Sequence, residues 1–215
     1  MDYPTWEPFY RRILEDFGFS REEDEAVARE LDGILAGTRV GPDALRAVLG
    51  GKEVTVLGNG PDLEREVARA RGVLVTADEA TSVALAAGLR PSVLVTDLDG
   101  DVEDQVRANA EGTIAVVHAH GDNGPSVRKW AARFRGRTLA TTQSRPTGRL
   151  ENFGGFTDGD RAVFLAVHAG AVTIHLLGFD FERPNPKDGD KAAKQRKLDW
   201  AYILLSALGR DDLEL

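Results

Sequence analysis

Residues 73–100 read VLVTADEATSVALAAGLRPSVLVTDLDG, and this stretch decides the fold. Val73–Val75 and Val93–Val95 are short aliphatic runs rich in valine, bounded by small and polar residues. Between them, EATSVALAAG places its apolar residues three to four apart, the period of a helix packed by one face. A strand, a helix and a second strand in so short a space form a βαβ unit, whose strands lie parallel. Neither run alternates apolar with polar, as expected of strands covered on both faces.

The same alternation extends outward from this unit. Upstream, Val54–Leu57 precedes LEREVARAR. Downstream come VEDQVRANA, Ile114–Val117, PSVRKWAARF, Thr138–Ala140, DRAVFLAVHAG and Val172–Leu177. The expected fold is α/β: a Rossmann-like, mostly parallel sheet of about six strands with helices on both faces, plus N-terminal helices. Trp6–Phe17 and Arg21–Ala36 read as those N-terminal helices, with Arg21, Glu25 and Arg29 forming a charge ladder on a solvated face. Residues 1–50 are therefore expected to be a helical appendage or a dimer contact, and 51–215 an α/β catalytic domain. That domain ends with the loop FERPNPKDGD and an amphipathic helix, Lys191–Leu208.

Composition narrows the function classes. The 215 residues are 42% hydrophobic and 29% charged, which argues against disorder and fibres. Lys+Arg 27 against Asp+Glu 35 gives a net charge of −8, so a nucleic-acid partner held by a broad basic surface is not expected. The cysteine count is 0, which removes disulfides, thiolate metal sites and a cysteine nucleophile. No apolar run approaches the roughly 20 residues of a membrane span, and the acidic, aromatic N-terminus does not resemble a secretory signal. A cytoplasmic protein without a membrane partner is the expectation.

Nearly every strand runs into a cluster of small and polar residues: GNGPD, TADEA, TDLDGD, HAHGDN, TTQSRP and GFDFE. Ligands of open parallel sheets bind outside the carboxyl ends of the strands, so these clusters are read together as one rim. Polar βα loops are ordinary, but paired aspartates and paired histidines on one edge are not. In Gly58-Asn59-Gly60-Pro61, two glycines at a strand–helix junction suit a phosphate seat or, equally, a plain tight turn. Leu63 stands where a dinucleotide fingerprint would need its third glycine, which argues against NAD or FAD.

Asp97 and Asp99 are the strongest signal. On an extended strand end they would point to one side, and two converging carboxylates call for a cation. Hard oxygen donors without sulfur favour Mg2+ or Mn2+. Helix capping accounts for one aspartate of this segment but not for both. One strand further on, His118, His120 and Asp122 repeat the spacing and could bind metal, donate to phosphates or hold substrate, while His168 and His175 read as packing residues. The loop Asn152–Arg161 carries glycines and phenylalanines suited to a flat ring, with Asp158 a candidate acceptor for ring amines and Asp160 a cap. Lys187, Lys191, Lys194 and Lys197 cluster near the C-terminus, suiting either a polyphosphate or a solvated helix face.

Taken together, GNGPDL, TADEATSVALAAGLRPSVLVTDLDG, HAHGDN, GGFTDGDRA and GFDFE resemble the archaeal 6-hydroxymethyl-7,8-dihydropterin pyrophosphokinase family, related in fold to thiamin pyrophosphokinase. The resemblance spans most of Lys52–Leu208. Its most specific part matches Asp78, Gly88, Pro91, Asp97 and Asp99 to the thiamin enzymes' pattern. Gly100 departs from the serine usual in those enzymes and suits the pterin family. The resemblance implies transfer of diphosphate from ATP to a reduced pterin alcohol, releasing AMP, in folate or methanopterin biosynthesis. It implies Asp97, Asp99 and Asp122 on Mg2+; Gly58, Asn59, Gly60, Lys191 and Lys194 on the phosphates; and Asp78, His120, Asn123 and Asp158 near the substrate. The thiamin relatives imply a homodimer.

Three other readings compete. Asp97-Leu98-Asp99-Gly100 also resembles haloacid dehalogenase phosphatases, with Asp97 as nucleophile, although those place the motif on an early strand. A nucleotide-binding module without catalysis would bind ATP and form no AMP. HAHGDN is similar to a zinc-hydrolase motif but has Asn123 where that motif needs a further histidine.

Overall fold

The computed structural model describes residues 1–213. Six strands form one sheet: β1 Glu53–Leu57, β2 Val73–Ala77, β3 Val93–Thr96, β4 Ile114–Ala119, β5 Thr138–Thr142 and β6 Thr173–Leu177. The order is β5-β4-β3-β2-β1-β6, and every pairing is parallel. The α/β fold read from the sequence is therefore the one observed, with strands that run up to two residues further toward their carboxyl ends.

The helices are α1 Tyr3–Phe17, α2 Arg21–Ile34, α3 Asp43–Leu49, α4 Leu63–Glu66, α5 Ala80–Ala86, α6 Val102–Ala110, α7 Gly124–Trp130, α8 Asp158–His168 and α9 Lys191–Ser206. The LEREVARAR and PSVRKWAARF patterns yield less helix than expected, because α4 and α7 each pass into a short 3-10 turn. No helix among the described residues is long and apolar enough to cross a membrane.

Strand alternation sorts the core into two faces. Val54, Val56, Val75, Val93, Val95, Ile114 and Val116 point toward α1, α3, α8 and α9. Leu94, Ala115, Val117 and Ala140 point the other way, toward α2, α6 and α7, while Leu57 and Leu74 meet α4 and α5. Since α8 lies over β1, β2 and β3 and is covered by α9, its residues from Asp160 to Ala166 are all buried. Residues 1–50 share this core: Trp6, Tyr10, Ile13, Leu45 and Leu49 are each 0% exposed. Residues 214 and 215, the end of the expected 51–215 span, lie outside the described residues.

β1 and β6 are neighbours, although the chain leaves β1 toward β2, in the opposite direction. The crevice between their outgoing loops is the switch point at which doubly wound sheets bind ligands. Two non-glycine residues at this edge have left-handed backbones: Asp78 (φ 46°) after β2 and Leu98 (φ 68°) after β3. Such backbones cost on the order of 1–3 kcal/mol each. Leu98 is held there by burial of its side chain against α6 and by its N–H, which donates to Thr96 Oγ1 at 2.8 Å.

Candidate active site

A cleft of about 350 Å³ opens along the carboxyl edge of the sheet. Each of the six strand-end clusters contributes to its lining: Gly58–Gly60, Asp78 and Glu79, Asp97 and Asp99, His120 and Asp122, Gln143, and Gly178–Phe181. Phe19, Phe156 and Phe179 supply flat apolar wall, while Lys187, Lys194 and Lys197 supply positive charge.

At the centre stand three carboxylates. Asp78, Asp97 and Asp158 each present an oxygen, and these atoms all lie within 4.8 Å of one another. Asp78 Oδ1 accepts from Thr96 Oγ1 at 2.8 Å and Gln105 Nε2 at 2.9 Å. Asp158, the first residue of α8, receives Arg161 Nη1 at 2.6 Å on Oδ1 and the Asp97 N–H at 3.3 Å on Oδ2. Asp97 Oδ2 faces His120 Nε2 at 3.4 Å. The backbone of Asp97 is pinned by Asn123 Nδ2, which donates to its carbonyl at 2.7 Å.

The three titrate differently. Burial first, then the charges of Asp158 and Asp97, push Asp78 well above the ordinary carboxylate range. Burial and the charge of Asp97 push Asp158 up to about 7, against the opposing pull of Arg161. Burial acts upward on Asp97 too, but the His120 hydrogen bond and the charges of His120, Arg161 and Lys197 outweigh it and hold Asp97 low. One ionised carboxylate beside two strained to stay neutral is the pattern of a site short of positive charge.

The structure revises how the candidates meet. β3 ends at Thr96 and Leu98 turns left-handed, so Asp97 and Asp99 do not follow strand alternation. Asp97 converges with Asp78 and Asp158, from the next strand end and from α8. Asp99 is exposed, its Oδ1 accepting from the Gly100 N–H, and Asp122 is exposed after the neighbouring strand β4; both line the cleft outside the three-carboxylate cluster. His120 lines the cleft, but His118 is 1% exposed, bonded to Thr141 and held neutral by burial. Asn123 commits its side chain to the backbone of Asp97, His118 and His120. Asp160 caps α8, as read from its position.

The glycine turn also has a different physical reason. The N–H groups of Gly58 and Gly60 donate to the carbonyls of Leu177 and Gly178, at 2.9 and 2.7 Å, so neither is free for a phosphate. A Cβ on Gly60 would stand 2.5 Å from the Gly178 carbonyl oxygen. These glycines let the β1 and β6 loops touch at the floor of the cleft. Asn59 Nδ2 donates to Glu79 Oε2 at 2.7 Å. Of the lysines, Lys194 lines the cleft whereas Lys191 does not, and Lys187 and Lys197 join it. Lys187 pairs with Glu79 at 3.1 Å and Lys194 with Asp188 at 3.7 Å.

Arg161, Gln105, Gln143 and Phe19 join the site without a motif of their own in the sequence. Arg161 sits three residues after Asp158, a spacing that brings both to one helix face and could have marked it.

Comparison with known proteins adds to this geometry. A family model described as 6-hydroxymethylpterin diphosphokinase MptE-like matches residues 37–186. Three archaeal proteins named 6-hydroxymethyl-7,8-dihydropterin pyrophosphokinase are similar over nearly the whole chain. The one from Methanothermobacter thermautotrophicus is 40% identical over 98% of this chain and 97% of its own. The one from Pyrococcus furiosus is 40% identical over 97% and 94%, and that from Methanocaldococcus jannaschii 35% identical over 100% and 98%.

Proposed function

The chain belongs to the MptE-like family of 6-hydroxymethylpterin diphosphokinases, and from that premise we propose that it is a cytoplasmic, Mg2+-dependent enzyme moving the β,γ-diphosphate of ATP onto 6-hydroxymethyl-7,8-dihydropterin. A bond forms between the hydroxymethyl oxygen and the β-phosphorus. The bond from that phosphorus to the α,β-bridging oxygen breaks, and AMP leaves. The hydroxyl proton passes to a phosphate oxygen or solvent. The product would feed folate or methanopterin synthesis.

The observation that carries the cation assignment is the charge balance of the Asp78–Asp97–Asp158 cluster. With all three carboxylates ionised, the one bonded guanidinium, Arg161, would leave an excess of two negative charges, which a single divalent cation balances. The donors are all hard oxygens, the set Mg2+ prefers. Asp97, Asp78 and Asp158 would hold the ion directly, with Asp99 and Asp122 close enough to the cleft to engage its water shell. Bound there, Mg2+ would neutralise charge on the polyphosphate.

The chain's own residues supply the rest. Lys187, Lys194 and Lys197 line the cleft beside the acidic centre and suit the phosphates. Asn59 lines the cleft at the β1 turn, on the same side. Phe19, Phe156 and Phe179 fit the two faces of a flat ring, and His120 is placed to donate to the acceptor or its diphosphate. Catalysis of this kind is mainly positioning and charge neutralisation, so no general base is required.

Incubation with ATP, Mg2+ and the reduced pterin alcohol tests the reading. AMP with pterin diphosphate supports it. ADP would indicate a simple kinase, and free phosphate with a trapped aspartyl-phosphate at Asp97 a phosphatase.

A further inference from the structure

The family model begins at residue 37, so it leaves out α1 and α2. These helices nevertheless reach the cleft. Phe19, in the turn between them, lines it directly and packs against Phe17 and Phe156, with ring centroids 5.3 and 6.5 Å away. Asp24, on α2, is only 1% exposed.

Among the described residues Asp24 has no cationic partner; it accepts three hydrogen bonds from three different parts of the fold. Oδ2 accepts from Tyr10 Oη on α1 at 2.6 Å and from Gln143 Nε2 at 2.8 Å. Oδ1 accepts from the Gly121 N–H at 2.7 Å. Two of these donors belong to the cleft. Gln143 lines it at the end of β5, and Gly121 lies between His120 and Asp122, which line it after β4. Trp6 Nε1 on α1 adds a fourth link, donating to the Gln143 carbonyl at 2.7 Å. A buried carboxylate is costly unless its lone pairs are satisfied, so evolution could place a smaller apolar residue here if only helix packing were at stake.

We propose that Asp24 is a positioning residue for the transfer reaction: from the N-terminal helices it fixes the His120–Asp122 turn and the Gln143 side chain at the cleft. Through Asp24, α2 then bears on the active site. The effect belongs to turnover rather than to nucleotide affinity, because Lys187, Lys194 and Lys197 reach the cleft from the loop after β6 and from α9.

The test compares Asp24→Asn with Tyr10→Phe. Asparagine keeps the size but turns an NH2 group toward at least one of the three donors. Phenylalanine removes one bond to the same carboxylate and leaves the bonds from Gln143 and Gly121 in place. The kinetic arm rests on the pyrophosphokinase reading; amide exchange of residues 120–123 in the ligand-free protein does not. Asp24→Asn is expected to speed exchange in that turn and to lower kcat ~10- to 100-fold with KM for ATP within about twofold. Tyr10→Phe is expected to keep kcat and exchange near wild type even where its Tm falls as far. Unchanged exchange in Asp24→Asn would overturn the proposal, as would kcat losses in the two variants that simply track their losses of Tm. A wild-type protein that forms no AMP would instead refute the function reading, leaving the exchange comparison to decide the role of Asp24.

Discussion

Replacing Asp78 by asparagine should make the metal-free protein more stable and the enzyme inactive. Asparagine tolerates the left-handed backbone at this position, and its carbonyl oxygen can accept the same two bonds from Thr96 and Gln105. What it removes is a carboxyl that can ionise only against its neighbours, in a cluster whose oxygens lie within 4.8 Å of one another. At an effective dielectric of about 20, two unit charges at that separation repel by about 3 kcal/mol. The wild-type cluster either meets that repulsion or keeps Asp78 protonated to avoid it, so the gain from asparagine at pH 8 is at most about 3 kcal/mol.

The gain depends on pH in a definite direction. A carboxyl whose folded pKa is raised costs the fold nothing below its unfolded value, near 3.8, and progressively more as the pH climbs through the folded value. Urea unfolding in EDTA should therefore show Asp78→Asn level with wild type near pH 4 and ahead of it at pH 8. Saturating Mg2+ should reverse the ranking, because the ion stabilises the full cluster more than the depleted one. A variant less stable than wild type at pH 8 in EDTA, or a difference that ignores pH, would refute the electrostatic account of this site.

Other expectations follow from the same geometry. Asp97→Asn should lower turnover ~10²-fold or more with the fold intact, measured by AMP formation, because it weakens charge stabilisation at the phosphates. Lys194→Ala should raise KM for ATP ~10-fold while Lys191→Ala, outside the cleft lining, leaves it unchanged; equal effects would point to a general surface field. Gly60→Ala should lower stability by about 2 kcal/mol or more in thermal unfolding, since its Cβ would stand 2.5 Å from the Gly178 carbonyl.

The sheet was legible because each buried strand is a compact aliphatic run and the helical period between runs is clear, as in residues 73–100. The rim was legible for the same reason, since parallel strands deliver all their polar ends to one edge. What periodicity could not supply was the path of the chain beyond a strand end. The alternation that pairs Asp97 with Asp99 assumes extended backbone, and the left-handed turn at Leu98 breaks it. Asp158 joins Asp97 only because α8 lies across the sheet centre, a long-range packing fact with no local signature. The glycines after β1 could signal either a phosphate seat or a close chain approach, and only the position of β6 beside β1 separates them. Nothing in residues 1–50 announced that Asp24 reaches Gln143, 119 residues away.

The central claim is that the three converging aspartates hold the ion that steadies the triphosphate. Anomalous diffraction from crystals grown with Mn2+ and a non-hydrolysable ATP analogue examines it directly. The account predicts a peak ~2.1 Å from oxygens of Asp97 and of Asp78 or Asp158, with the polyphosphate completing the coordination. A triphosphate bound with no metal peak there, or with the peak held only by residues away from Asp97, would contradict it.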